Sequence, residues 1–352
     1  MRPGVNGGVF QADHQARAPR REARRRHPAA RFAPALAALV LVALASIGCA
    51  APPPERLRIG MNVWPPYELL YLARERGYFD DEGVAVDLVD FSSYSGALAA
   101  YHQEQVDAFL ATLNEVQIRD NFQDPPVVVL ALDYSFGGDA VVARGGLTTA
   151  AALRGRVVAY EESALGSYVL ERALAHGGLA EGDVTLVNRL PEESEADFRK
   201  GKVDAVVTYE PFLGRLLEVR GASVVFSSRE IPGEIVDVLA ARPQALETRR
   251  DDFRRVARAW FRAVEDYRAH PVEAAAIMAR HENVGPEEFL RALSGSHLPD
   301  RNENLRLLGT SMTPGLLSGT ADRLGRFLLR HNLARRPATG AEVLSAAALE
   351  PR

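Results

Sequence analysis

The sequence predicts an α/β fold of two lobes: two βα sheets joined by two extended hinge strands, with a helical C-terminal segment. Three observations predict it. Short apolar runs alternate with helix-like patterns from about residue 57 to 227. Their order is strand, helix, strand, which implies largely parallel sheets covered by helices. The same order then restarts halfway along.

The first series begins with a strand over 57–62. Residues 67–78 place Leu69, Leu70, Leu72 and Ala73 at helical spacing, ending near Gly77. A strand over 84–91, a helix over 95–103 and strands over 106–111 and 127–132 follow. The second series has strands over 155–160, 184–187 and 203–208, with helices over 164–175 and 192–200. A short repeat links the two: Val106-Asp107-Ala108 is echoed by Val203-Asp204-Ala205, each opening a buried strand. An acid starts a helix after each copy, Glu115 in the first and Glu210 in the second.

Two extended segments, 132–144 and 232–242, can join the lobes. Residues 245–333 are almost wholly helical in pattern, with breaks at Pro271, Gly285-Pro286, Pro299 and Pro314-Gly315. The expected organisation is a signal segment over 1–48, a Pro-rich tether over 49–56, lobe I from 57–136 plus 238–335, lobe II from 137–237, and a flexible tail over 336–352.

The N-terminus carries its own message. An arginine cluster precedes an apolar run of 16 residues, Phe32 to Ile47, which is short for a spanning helix. Ser46-Ile47-Gly48-Cys49 follows, then Pro52-Pro53-Pro54. A basic segment, a short apolar core and small residues make a secretory signal. Cys49, the only cysteine, resembles the lipid-bearing cysteine of a bacterial lipobox. Ser46 stands where a lipobox usually has leucine. The expectation is a membrane-anchored lipoprotein in the periplasm or at the cell surface. No later run is apolar enough to span a membrane.

Charge narrows the partner classes. Residues 1–48 hold 8 Lys+Arg and 2 Asp+Glu, against 42 and 46 in the whole chain, so the remainder carries about −10. Nucleic-acid binding needs a basic face and is not expected. With one cysteine, no internal disulfide exists, and stability must come from the core.

Several stretches resemble a known family. They are Trp64-Pro65-Pro66-Tyr67, Arg76-Gly77-Tyr78-Phe79 to Glu82-Gly83-Val84, Phe91-Ser92-Ser93-Tyr94-Ser95-Gly96, and Val203 to Pro211. Over roughly residues 57–330 the chain resembles the solute-binding proteins of ABC importers of the nitrate, sulfonate, taurine and thiamine-precursor group (NMT1/THI5-like, SsuA-like). The resemblance implies the type II periplasmic-binding fold, a monomer that closes on a small-molecule solute, and a permease and ATPase as partners. It implies no cofactor and no metal. A ligand-presenting sensor component for a receptor kinase and an exported enzyme on the same fold are the alternatives.

In open parallel sheets, ligands bind beyond the carboxyl ends of the strands, where helix N-termini present free N–H groups. In lobe I that selects Trp64 and Tyr67, Ser92, Ser93 and Ser95, and Thr112 and Asn114. In lobe II it selects Glu162, Ser163, Tyr209 and Glu210. The hinge segments add Asp133, Asp139 and Asp237. Each has a plain structural alternative: core packing for the rings, helix capping for the serines and Glu210, an ion pair for Asp237. Asp237 interrupts the apolar run 235–239, where an acid needs a partner. So many acids would repel an anion. With Trp64, Tyr67, Phe136 and Tyr209 as aromatic walls, a cationic or nitrogen-rich organic solute is expected.

Enzyme signatures are missing. The eight histidines show no zinc-like spacing, and the chain has no Gly-x-Ser-x-Gly elbow, P-loop or Gly-x-Gly-x-x-Gly.

Overall fold

The computed structural model describes residues 55–119, 122–310, 313–336 and 338–350. Cys49 and the expected signal segment lie outside the described residues. The main strands are β1 Leu57–Met61, β2 Val86–Asp90, β3 Ala108–Thr112, β4 Val127–Ser135, β5 Asp139–Ala143, β6 Val157–Tyr160, β7 Thr185–Asn188, β8 Ala205–Tyr209, β9 Ser223–Ser227, β10 Val236–Ala241 and β11 Ser296–His297. They form two sheets, ordered β11-β4-β10-β3-β1-β2 and β7-β6-β8-β5-β9.

The two sheets share one plan. In the first, β1 lies between β2 and β3, all parallel, and β10 runs antiparallel beside β3. In the second, β6 lies between β7 and β8, all parallel, and β5 runs antiparallel beside β8. Each antiparallel strand enters from the other series, so the chain crosses between sheets after β4 and again before β10. These are the two extended segments expected at 132–144 and 232–242. The structure adds β9 and β11, which the sequence reading left out. Both are short and lie at or beside sheet edges, where alternation is weak.

The Val-Asp-Ala repeat has a physical cause. Asp107 accepts the backbone N–H of Arg58 at 2.8 Å, and Asp204 accepts that of Val157 at 2.9 Å. Each carboxylate pins the start of the middle strand of its three parallel strands. Asp107 also holds the Arg58 guanidinium at 2.6 Å. Burial raises the Asp107 carboxyl, but the Arg58 bonds outweigh it and hold the group below its usual range.

The helical segment returns to the first sheet. The helix Arg250–Ala269 buries Phe253, Val256, Trp260 and Val264 and packs against the helices Glu68–Glu75 and Tyr78–Glu82. Its charged face is not simply solvated. Arg258 pairs with Glu82 at 2.6 Å, Arg262 with Asp81 at 2.7 Å, and Arg76 with Asp266 at 2.9 Å. Asn304 clamps β4, accepting from the Ala131 N–H at 2.8 Å and donating to its carbonyl at 2.9 Å.

The flexible tail expected over 336–352 needs correction. Ala338, Val343, Ala346, Ala348 and Leu349 are buried, and the Ser345 N–H donates to the Val128 carbonyl at 2.9 Å. Its buried residues are mostly small, and small apolar residues give little sequence signal. Among the described residues, no helix is long and apolar enough to cross a membrane.

Candidate solute cleft

The carboxyl ends of β1, β3, β6 and β8 face a common cleft, with the two crossing segments forming its floor. Its empty volume is about 490 Å³, part of it open to solvent. The first lobe lines it with Asn62, Val63, Trp64, Tyr67, Tyr94, Ala111, Thr112 and Glu115. The crossing segments add Asp139 and Asp237, and the second lobe adds Glu161, Ser163, Leu165 and Tyr209. A second hollow of about 360 Å³ continues beneath Tyr209 into the second lobe, where Arg189 borders it. Arg189 is paired with Asp197 at 3.1 Å.

The floor is built from acids on adjacent strands. In the first sheet Asp237 lies opposite both Asp133 and Thr112. In the second, Asp139 lies opposite Tyr209. Asp237 is 4% exposed and accepts the Tyr67 hydroxyl at 2.5 Å. Asp133 is fully buried behind Trp64 and accepts its indole N–H at 3.1 Å; among the described residues, its other oxygen makes no hydrogen bond of normal geometry. The ion pair with arginine that Asp237 was open to is not formed; a tyrosine hydroxyl takes the place.

Burial dominates the electrostatics. It pushes Asp139 to about 6, against a hydrogen bond with Ser135 that favours the charge. It pushes Asp237 to about 7, against the Tyr67 hydroxyl, with Asp139 adding repulsion. Burial and then the Asp237 charge hold Asp133 well above the usual carboxylate range. Burial raises Glu115 to about 7, and burial followed by Glu192 raises Glu161. Removing water makes each negative charge costly unless a cation or donor stands beside it.

Aromatic rings wall the space. Trp64 meets Tyr209 across the cleft edge-on, ring centroids 6.2 Å apart. A Cβ at Gly138 would lie 2.7 Å from the Trp64 ring and 3.0 Å from the Gly295 carbonyl, so only glycine lets the crossing segment pass so close to that ring. At the helix Ala164–His176 a Cβ on Gly166 would meet the Glu161 carbonyl at 2.1 Å. Glycine there lets the loop bearing Glu161 fold back over the helix start.

The residues singled out from the sequence separate into groups. Trp64, Tyr67, Thr112, Asp139, Ser163, Tyr209 and Asp237 line the cleft. Asp133 and Asn114 are buried just behind it, and neither amide atom of Asn114 has a protein partner. Ser93 caps its helix through the Gly96 N–H at 3.3 Å, while Ser92 and Ser95 are exposed outside the lining. Glu162 is exposed and bonded to Asn188 at 3.1 Å. Glu210 accepts the Gly214 N–H of its own helix at 3.1 Å, and Phe136 turns outward under Arg229. Sequence reasoning passed over Tyr94, Glu161 and Glu115 as ligand contacts. Glu115 had a signal, since it follows the first copy of the repeat. Tyr94 and Glu161 each adjoin a residue that was chosen, and one step along a loop decides which side chain faces in.

The NMT1/THI5 like family matches residues 64–274. The chain belongs to that family. A protein of Brucella abortus (strain 2308) named as a binding protein is 23% identical over 301 residues, covering 82% of this chain and 90% of that one. Among solved structures, the periplasmic aliphatic sulphonate binding protein SsuA from Escherichia coli superposes with a TM-score of 0.68 at 16% identity, covering 83% of this chain and 92% of that one. The desulfurization enzyme DSZB superposes with a TM-score of 0.59 at 19% identity, over 83% and 98%. This NMT1/THI5-like chain thus has the two-lobed fold of periplasmic binding proteins, a fold that also hosts an enzyme.

Proposed function

We propose that this family member is an extracytoplasmic solute-binding lipoprotein. Held to the membrane through Cys49, it captures a cationic or nitrogen-rich small organic solute between its lobes as a monomer. It then delivers the solute to the permease and ATPase of an ABC importer. One observation carries the choice of solute: among the described residues, the lining holds four carboxyl groups, Glu115, Asp139, Glu161 and Asp237, and no lysine, arginine or histidine.

The relatives' names mention sulphonates, but an anion here meets buried acids with no cation to offset them. Like charges placed together cost several kcal/mol. A protonated amine or amidine instead supplies the counter-charge that Asp139 and Asp237 lack. The faces of Trp64, Tyr94 and Tyr209 add cation–π attraction, about 2 kcal/mol where water is excluded. A solute touching Trp64 and Tyr209 together binds the closed arrangement better than the open one, which is what drives closure.

Isothermal calorimetry with a panel of amines, amidines, protonated heterocycles, alkanesulfonates and nitrate tests the reading. Binding confined to the cations supports it. Binding confined to the anions ends it. Release of a chemically altered cation would instead favour an exported enzyme, and a receptor kinase beside the gene would favour the sensor alternative.

A further inference from the structure

The helix Ala164–His176 has 13 residues, and its N-terminal turn opens the second lobe's side of the cleft. Such a turn attracts anions, because its first N–H groups have no partner within the helix and the helix dipole is positive there. Here those groups are already taken. Ser163 accepts the Gly166 N–H at 3.0 Å, the ordinary capping bond. Glu115 accepts the Leu165 N–H at 3.1 Å. The Ala164 N–H and the Ser163 hydroxyl also favour the charged form of Glu115.

Glu115 is not a cap in the ordinary sense. It belongs to the first lobe, on the short helix Leu113–Val116 that follows β3, 50 residues away from Leu165 in the chain. It is 7% exposed and crosses the cleft to reach the other lobe. Its counterpart in the repeat, Glu210, stays on its own lobe and bonds Gly214.

The geometry points to Glu115 as a built-in anion: its carboxylate takes the place an anionic solute would take on the second lobe's helix, bars such solutes, and latches the lobes before cargo arrives. This deepens the reading of the cleft as a solute site and rests on it. Two consequences follow. Anions compete with a tethered carboxyl group held at high effective concentration. The unliganded lobes also stay close, keeping Trp64 against Tyr209.

Trp64 provides the readout, with Trp260→Phe as background so that the cleft indole alone emits. The proteins compared are wild type, Glu115→Gln and Glu115→Ala, each titrated with methanesulfonate, inorganic sulfate and a protonated amine. Thermal melts confirm folding. In wild type, Trp64 is shielded from acrylamide and does not respond to either anion. In Glu115→Ala, quenching increases, and anion binding strengthens more than about tenfold, because a like charge has left the site. Glu115→Gln, which keeps an acceptor for the Leu165 N–H, retains most of the shielding. The proposal is overturned if Glu115→Ala leaves Trp64 as shielded as before, or opens without gaining anion binding. The amine titration separates this failure from that of the parent reading. Wild type answering to the amine while Glu115→Ala gains nothing removes the latch alone. Glu115→Ala gaining anion binding while wild type ignores the amine removes the cationic cargo alone.

Discussion

The two lobes are built by one rule and equipped by two. Each has a strand pinned by an aspartate between two parallel neighbours, and an antiparallel strand reached by a crossing segment. Yet the first lobe brings Trp64, Tyr67 and Tyr94 to the cleft, whereas the second brings a helix start with Glu161 and Ser163. The acid after the repeated strand reaches across the cleft to the Leu165 N–H in the first lobe and bonds the Gly214 N–H of its own lobe in the second. A repeated backbone therefore carries fold information, while the loop after each strand carries ligand information.

The largest effect should come from breaking the shared rule. Asp107 holds both a backbone N–H and the Arg58 guanidinium, whereas the Arg156 guanidinium stands 3.9 Å from Asp204. Asp107→Ala should lower stability by about 2–3 kcal/mol and Asp204→Ala by about 1 kcal/mol, using the usual worth of charged and neutral hydrogen bonds. Urea unfolding of both variants measures the difference. Equal losses would mean that the arginine adds nothing.

The next effect sharpens the unequal equipment. Asp237→Asn keeps an acceptor for the Tyr67 hydroxyl but removes a floor charge. Binding of a protonated amine should weaken by tenfold or more, about 1.4 kcal/mol. Glu210→Gln, outside the lining, should change it less than about twofold. Calorimetry on the two variants distinguishes floor from rim, and a larger loss at Glu210 would contradict the assignment.

A smaller effect concerns pH. Ordinary aspartate and glutamate titrate near 4. Asp139 at about 6, Asp237 at about 7 and Glu115 at about 7 lie above that. Folding therefore favours their neutral forms. The stability they contribute is fully present below about pH 4 and is lost as pH rises through about 6 to 7. The melting temperature of the empty protein should carry a falling contribution between about pH 4 and 7 that a bound cation reduces. Asp139→Asn with Asp237→Asn should flatten the curve. An unchanged slope in that double variant would show that these acids do not govern it.

Much of this was legible before any coordinates. Short apolar runs mark the strands along the chain, and the Val-Asp-Ala echo marks their repetition, because buried parallel strands leave continuous apolar runs. Asp237 announced itself as an acid inside such a run. Other features depend on side-chain direction, which spacing does not encode. Glu161 faces the cleft and Glu162 faces water, although both precede the same cap. Phe136 and Glu210 sit in plausible places and turn away. The tail over 338–350 has too few large apolar residues to look ordered, yet its small apolar residues are buried and Ser345 bonds to β4.

The central claim is that burial raises the floor acids Asp139 and Asp237, and that an entering cation favours their charged forms. The direct measurement is calorimetry of a tightly binding amine near pH 6 in buffers of differing ionisation enthalpy, which counts protons exchanged on binding. A cation stabilises the charged carboxylates, so the account predicts net proton release, shrinking as pH rises above about 7. Proton uptake, together with tighter binding of a sulfonate than of the amine, would contradict it.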